Sequence, residues 1–136
     1  MARSHPLEQL EAVLIVGIGG FAGSNLRYFA ELFIPHSLAA TATVNVFGSL
    51  ALGFLIYEEL FTGTISKASR TLMATGFIAS FTTYSTFIID ALTTTPILAV
   101  VYVIGSYALG FGAVLVGREA ARWVTTVAPP TSEASD

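Results

Sequence analysis

Four uninterrupted apolar runs of about twenty residues each constrain this chain more than any other feature of it. They cover residues 11–33, 37–57, 71–92 and 96–117. A helix rises about 1.5 Å per residue, so about 20 apolar residues cross a hydrocarbon core about 30 Å thick. Charged residues make up only 11% of the chain, against about 25% in soluble proteins, too few to clothe a water-exposed surface. The expectation is an all-α membrane protein with four transmembrane helices, placed in the cell membrane.

The punctuation between the runs agrees. Pro35 lacks an amide hydrogen and ends the first run. Glu58 and Glu59 mark the exit of the second into water, Asp90 lies near the end of the third, and Arg118 closes the fourth. The start of the chain carries Pro6, Glu8 and Glu11 and shows no small-residue cleavage signal, so the first run is read as a retained span. Residues 1–127 read as one four-span unit, and the acidic, proline-containing stretch 128–136 as a disordered tail. No internal repeat relates the two halves, so any symmetry must come from assembling two chains.

Composition also excludes functions. Six basic residues and a net charge of -3 leave no basic stripe for nucleic acid. Without cysteine there is no disulfide, thiol nucleophile or Cys-based metal site. Both histidines, His5 and His36, lie outside the runs, so the hydroxyl-rich third span has no base for nucleophilic catalysis and the chain does not read as an enzyme.

What remains is a pattern of polar residues inside apolar helices. Thr41, Asn45 and Ser49 recur every fourth residue and share one face of the second span. Interhelical hydrogen bonding or a polar pathway would both use them, and the Asn45 amide is the costliest of the three in hydrocarbon. The third span holds Ser80, Thr82, Thr83, Tyr84, Ser85 and Thr86 close together, a density suited to a helix broken near its middle. Tyr84 and Phe87 share one face of it, and Thr83, Thr86 and Asp90 a second. Tyr102 and Ser106 form a short polar strip on the fourth span, followed by Gly110. Arg27 is a charge embedded in the first span, a functional candidate or a side chain that snorkels to the interface.

Three segments together resemble one family, the Fluc or CrcB fluoride channels: GGFAGSNLRY at residues 19–28, TATVNVFGSLALG at 41–53 and ATGFIASFTTYSTF at 74–87. The resemblance implies passive, fluoride-selective export, by an antiparallel dimer with two fluoride pathways along its interface and a structural sodium ion on its axis. It implies that Thr41, Asn45, Tyr84, Phe87, Tyr102 and Ser106 line the fluoride pathway, and that the backbone carbonyls of Ala79 and Thr82 hold the sodium. Thr83, Ser85 and Thr86 belong to the same block, and Arg27 matches the arginine of the first segment. Two departures stand out: Tyr84 replaces a phenylalanine, and Ala79-Ser80 replaces a pair of glycines.

Competing readings are a non-conducting paralogue that partners an active subunit, and a small four-span multidrug exporter. The exporter needs a carboxylate deep in the membrane, whereas Glu11, Glu31 and Asp90 lie toward span ends. Orientation follows from the basic residues. Arg3, Lys67, Arg70, Arg118 and Arg122 fall on one side of the membrane and only Arg27 toward the other. Basic residues in short loops stay in the cytoplasm, so both termini are expected inside. The partner in an antiparallel dimer is then a second copy or an oppositely oriented paralogue.

Overall fold

A proline opens the last helix, a position where its missing amide hydrogen has no helical partner to lose. The structure, a computed structural model, describes residues 6–127, without the side chains of residues 125 and 127. Arg3, His5 and the tail 128–136 lie outside the described residues.

Helix α1 spans Pro6–Phe33 and α2 spans Ser37–Phe61. A short helix α3, Lys67–Thr71, starts where the Ser66 side chain accepts the Ser69 amide at 3.1 Å. It runs directly into a π-helical stretch, Leu72–Ile78, and then a last turn, α4, Ala79–Phe81. Thr82 is extended, with φ -79° and ψ 160°. Helix α5 begins at Ser85 and ends at Thr93, and α6 covers Pro96–Val127. No strand occurs among the described residues, and four helical stretches are long and apolar enough to cross a membrane.

The helices outrun the apolar cores expected from sequence, since a helix need not stop at the membrane surface. α2 continues four residues past 57, and α6 continues ten past 117. Glu58 differs from its expected role as an exit into water. It is 3% exposed, whereas Glu59 beside it faces outward.

Packing in lipid gains nothing from hiding apolar surface, so close backbone contact must supply the attraction. α2 and α6 share the most extensive contact, while α1 packs on the π stretch and α4. Glycine makes both seams possible. A Cβ on Gly53 would stand 2.7 Å from the Val114 carbonyl oxygen, and one on Gly117 would collide with that of Leu50. On the other seam, a Cβ on Gly19 would stand 2.5 Å from the Leu72 carbonyl oxygen. α5 contacts both α2 and α6, which brings the third span beside the polar face of α2. Phe21, Phe33, Leu92 and Ile97 remain exposed on the outside, as a lipid-facing surface requires.

Candidate functional site

The site is assembled around α2. Asn45 Nδ2 donates to the Thr83 carbonyl at 2.8 Å, and the Thr83 amide donates back to Asn45 Oδ1 at 2.8 Å. This reciprocal pair satisfies the costly amide of the second span with the backbone of the third. It also takes the Thr83 N–H out of the helical ladder, where its acceptor would be the Ala79 carbonyl one turn back. Thr82 still bonds in the helical manner to Ile78, through both its amide at 3.0 Å and its hydroxyl at 2.9 Å.

Beyond the interruption, side chains restart the helix. Thr83 Oγ1 accepts the Thr86 amide at 3.2 Å and lies 3.0 Å from Thr86 Oγ1, with Ser85 Oγ at 3.5 Å. A hydroxyl accepting an amide of the first turn supplies the partner that a helix start lacks. The expected stripe of Thr83, Thr86 and Asp90 therefore divides. Asp90 turns instead to α2, where Ser37 Oγ donates to Oδ1 at 2.5 Å and Thr41 Oγ1 to Oδ2 at 2.7 Å. Asp90 is buried at 7% exposure, and both of its oxygens are engaged.

The fourth span contributes groups of the opposite kind. The Tyr102 hydroxyl and Ser106 Oγ are buried without a hydrogen-bond partner. The Phe87 ring packs on Tyr102 at 5.1 Å between centroids and meets Tyr107 edge-on at 6.0 Å. Tyr84 lies 6.0 Å from Phe87, but its side chain stands outward, 69% exposed. A groove of about 270 Å³ runs past these residues, lined among others by Asn45, Ser49, Tyr84, Phe87, Ser106 and Tyr107. A second groove of about 250 Å³ continues across Asn45, Ser49 and Tyr84 to Thr82 and Thr83. Asn45, Phe87 and Ser106 thus share one groove, with Tyr102 buried behind it against Phe87. Thr41 lines neither groove but sits at Asp90 beside the Tyr102 hydroxyl, whereas Arg27 on α1 pairs with Glu31 at 3.8 Å, away from both grooves.

A profile of the family described as "CrcB-like protein, Camphor Resistance (CrcB)" matches residues 14–118, which contain every candidate residue from Arg27 to Ser106. The chain belongs to the CrcB family. A relative from Haloarcula marismortui, "Fluoride-specific ion channel FluC 1", is 56% identical over 122 residues, covering 90% of this chain and 94% of the relative. Its namesake from Natronomonas pharaonis is 43% identical over 113 residues, covering 82% and 95%. "Fluoride-specific ion channel FluC 2" from Halobacterium salinarum is 43% identical over 105 residues, covering 76% and 81%.

Within this CrcB-family chain, sequence reasoning missed three partners. Tyr107 and Phe111 line the first groove beside Ser106, and nothing in an apolar run separates a lipid-facing aromatic from one that faces a groove. Asp90 reads as a span end in the sequence, and its role as the acceptor for the Thr41 hydroxyl, 49 residues away in the chain, comes only from packing. Among the described residues no group of three or more His, Cys, Asp or Glu could hold a metal ion.

Proposed function

We propose that this chain is one subunit of a fluoride-selective channel that lets fluoride leave the cell passively, relieving its toxicity. The names carried by its relatives support the ion. The observation in the structure that carries the reading is the pair of buried, unpartnered hydroxyls of Tyr102 and Ser106, with Asn45 and Phe87 close by.

Fluoride is small and holds its water tightly, so a pathway must replace that water with directed donors. Hydroxyls and amide hydrogens can do this, and an aromatic ring offers its positive edge to an anion. Ser106 has a hydroxyl hydrogen uncommitted to protein, and the Tyr102 hydroxyl, without a full hydrogen bond, stands beside Thr41 and the Asp90 carboxylate. Asn45 spends one Nδ2 hydrogen on Thr83 and keeps the other. Phe87 supplies the ring, and Tyr84, at the groove mouth, adds a further hydroxyl. Thr41 donates its hydrogen to Asp90, so in this arrangement it orients the carboxylate rather than the anion. No fixed cation lines either groove, which suits conduction, because binding must stay weak enough for the ion to leave.

The finer parts of the reading concern assembly. Both grooves are open, and Tyr84 and Phe47 are exposed on the chain's surface, which leaves their walls to be completed by a second subunit in this reading. An antiparallel dimer would supply it. Lys67, Arg70, Arg118 and Arg122 lie at one membrane end and Arg27 toward the other, which favours one orientation with both termini in the cytoplasm and an oppositely oriented relative as partner. A structural sodium fits the break in the third span. Diversion of the Thr83 amide to Asn45 frees the Ala79 carbonyl, and carbonyl oxygens of Ala79 and Thr82 suit a hard cation. When bound, the ion would add positive potential near the anion path.

A proton-coupled exporter is the reading this arrangement disfavours. Of the two buried carboxylates among the described residues, Asp90 is tied to Ser37 at the first turn of α2 and Glu58 lies in the last turn of the same helix, each near a membrane edge. Fluoride flux measured beside organic-cation transport tests the choice: fluoride flux without cation transport supports the channel, and the reverse result removes it.

A further inference from the structure

An ion pair between a buried carboxylate and a part-buried guanidinium sits at the opposite end of α2 from Asp90, outside both grooves. Glu58 is 3% exposed and every side of its carboxylate is engaged. Oε1 accepts the Thr64 amide at 2.7 Å, the Thr64 hydroxyl at 2.5 Å and the Ile65 amide at 3.1 Å. Oε2 accepts Arg70 Nη2 at 2.8 Å. Arg70 Nη1 also donates to the Leu55 carbonyl, and its Nε lies 3.5 Å from Glu59. One carboxylate thus fixes the loop after α2, whose turn passes through Gly63 at φ 58°, and clamps the start of the third span. A buried carboxylate paired with a part-buried guanidinium is costly to place, and removing the guanidinium leaves the carboxylate uncompensated.

What the clamp holds is the entry to the π stretch, which begins at Leu72, two residues after Arg70. Winding with i→i+5 bonds encloses one more residue per turn than α winding. The extent of that stretch therefore decides the angle at which later residues emerge. Its far side is fixed as well, by the Asn45–Thr83 pair. The two anchors on α2, Glu58 and Asn45, are 13 residues apart, as are Arg70 and Thr83 on the third span. α2 is thus a ruler against which both ends of the wound segment are set.

We propose that Glu58 and Arg70 are positioning residues: the pair fixes the winding of the third span and so the placement of the Ala79 and Thr82 carbonyls and the presentation of Thr83 and Phe87 to the ion path. The functional half of this proposal rests on the channel reading; the winding itself does not. Loss of the clamp should release residues that lie between 9 and 17 positions beyond Arg70 while leaving the path's own side chains unchanged.

The test uses the full chain in liposomes, comparing wild type, Arg70→Met, Arg70→Lys, Glu58→Gln and a charge control, Lys67→Met. Fluoride efflux per folded protein and hydrogen exchange of the Thr83 amide are measured together. In Arg70→Met, efflux should fall severalfold or more, and the Thr83 amide should exchange faster. Arg70→Lys should recover part of both, and Lys67→Met should match wild type. Wild-type efflux and Thr83 protection in a folded Arg70→Met protein would overturn the proposal, as would a loss confined to folded yield. Should Arg70→Met fail to fold, Glu58→Gln and Arg70→Lys decide, and unchanged efflux and exchange in both would refute it. Absence of fluoride flux in wild type would instead remove the channel reading, while the exchange measurement would still judge the winding.

Discussion

Asn45→Asp replaces one amide nitrogen with a carboxylate oxygen and changes little else in shape. In the folded chain Oδ1 would still accept the Thr83 amide, but the position of Nδ2, 2.8 Å from the Thr83 carbonyl, would hold a second oxygen. Losing that donor leaves a carbonyl without its partner, at a cost of about 1–3 kcal/mol. The new charge acts on the ion directly. Two like charges about 4 Å apart repel by about 4 kcal/mol at an effective dielectric near 20, and even half of that exceeds the lost bond's lower range. At about 1.4 kcal/mol per factor of ten, flux should fall by about 30-fold to 1000-fold. Asn45→Ala loses the clamp without adding charge, so its loss of flux should be clearly smaller. The assay is fluoride-electrode efflux from liposomes, normalised to folded protein by size exclusion. Wild-type flux in folded Asn45→Asp, or equal losses in Asn45→Asp and Asn45→Ala, would refute the reasoning.

Other expectations follow from packing, charge and the break in the third span. Gly117→Ala drives a Cβ into the Leu50 carbonyl and should lower stability by about 1–3 kcal/mol, whereas Gly105→Ala, with nothing within 4 Å of its Cβ, should be neutral or slightly stabilising in a thermal-unfolding comparison. Reporters on the C-terminus active on one membrane side only should signal mainly from the cytoplasm; comparable signal from both sides would show dual insertion and remove the need for a paralogue. Replacing sodium on both sides by a large organic cation should reduce fluoride flux, and undiminished flux would remove the sodium site from the account.

The spans were legible because length and apolarity are local properties: α2 and α6 begin at the residues expected, Ser37 and Pro96. Their far ends were not, because Glu58 and Arg118 mark changes of environment rather than of backbone. Asn45 stood out because an amide in hydrocarbon must have partners, but the partner, the Thr83 backbone, is a property of tertiary packing. Glu58 was misread for the same reason. A charge at the end of an apolar run looks solvated until the loop that folds over it is seen. The π stretch left no mark, since LMATGFI carries nothing that distinguishes i→i+5 from α winding. The tight glycines were only half separable: Gly19 and Gly23 meet the third span, while Gly17 in the same cluster touches nothing within 4 Å.

The central claim is passive, selective passage of fluoride, and the most direct measurement is anion efflux from liposomes containing this chain, alone and with an oppositely oriented relative. With the fluoride gradient fixed, efflux should follow the electrochemical gradient of fluoride, ignore a proton gradient of either sign and leave chloride behind. Fluoride retained in both preparations, equal loss of chloride, or strict dependence on the proton gradient would contradict it.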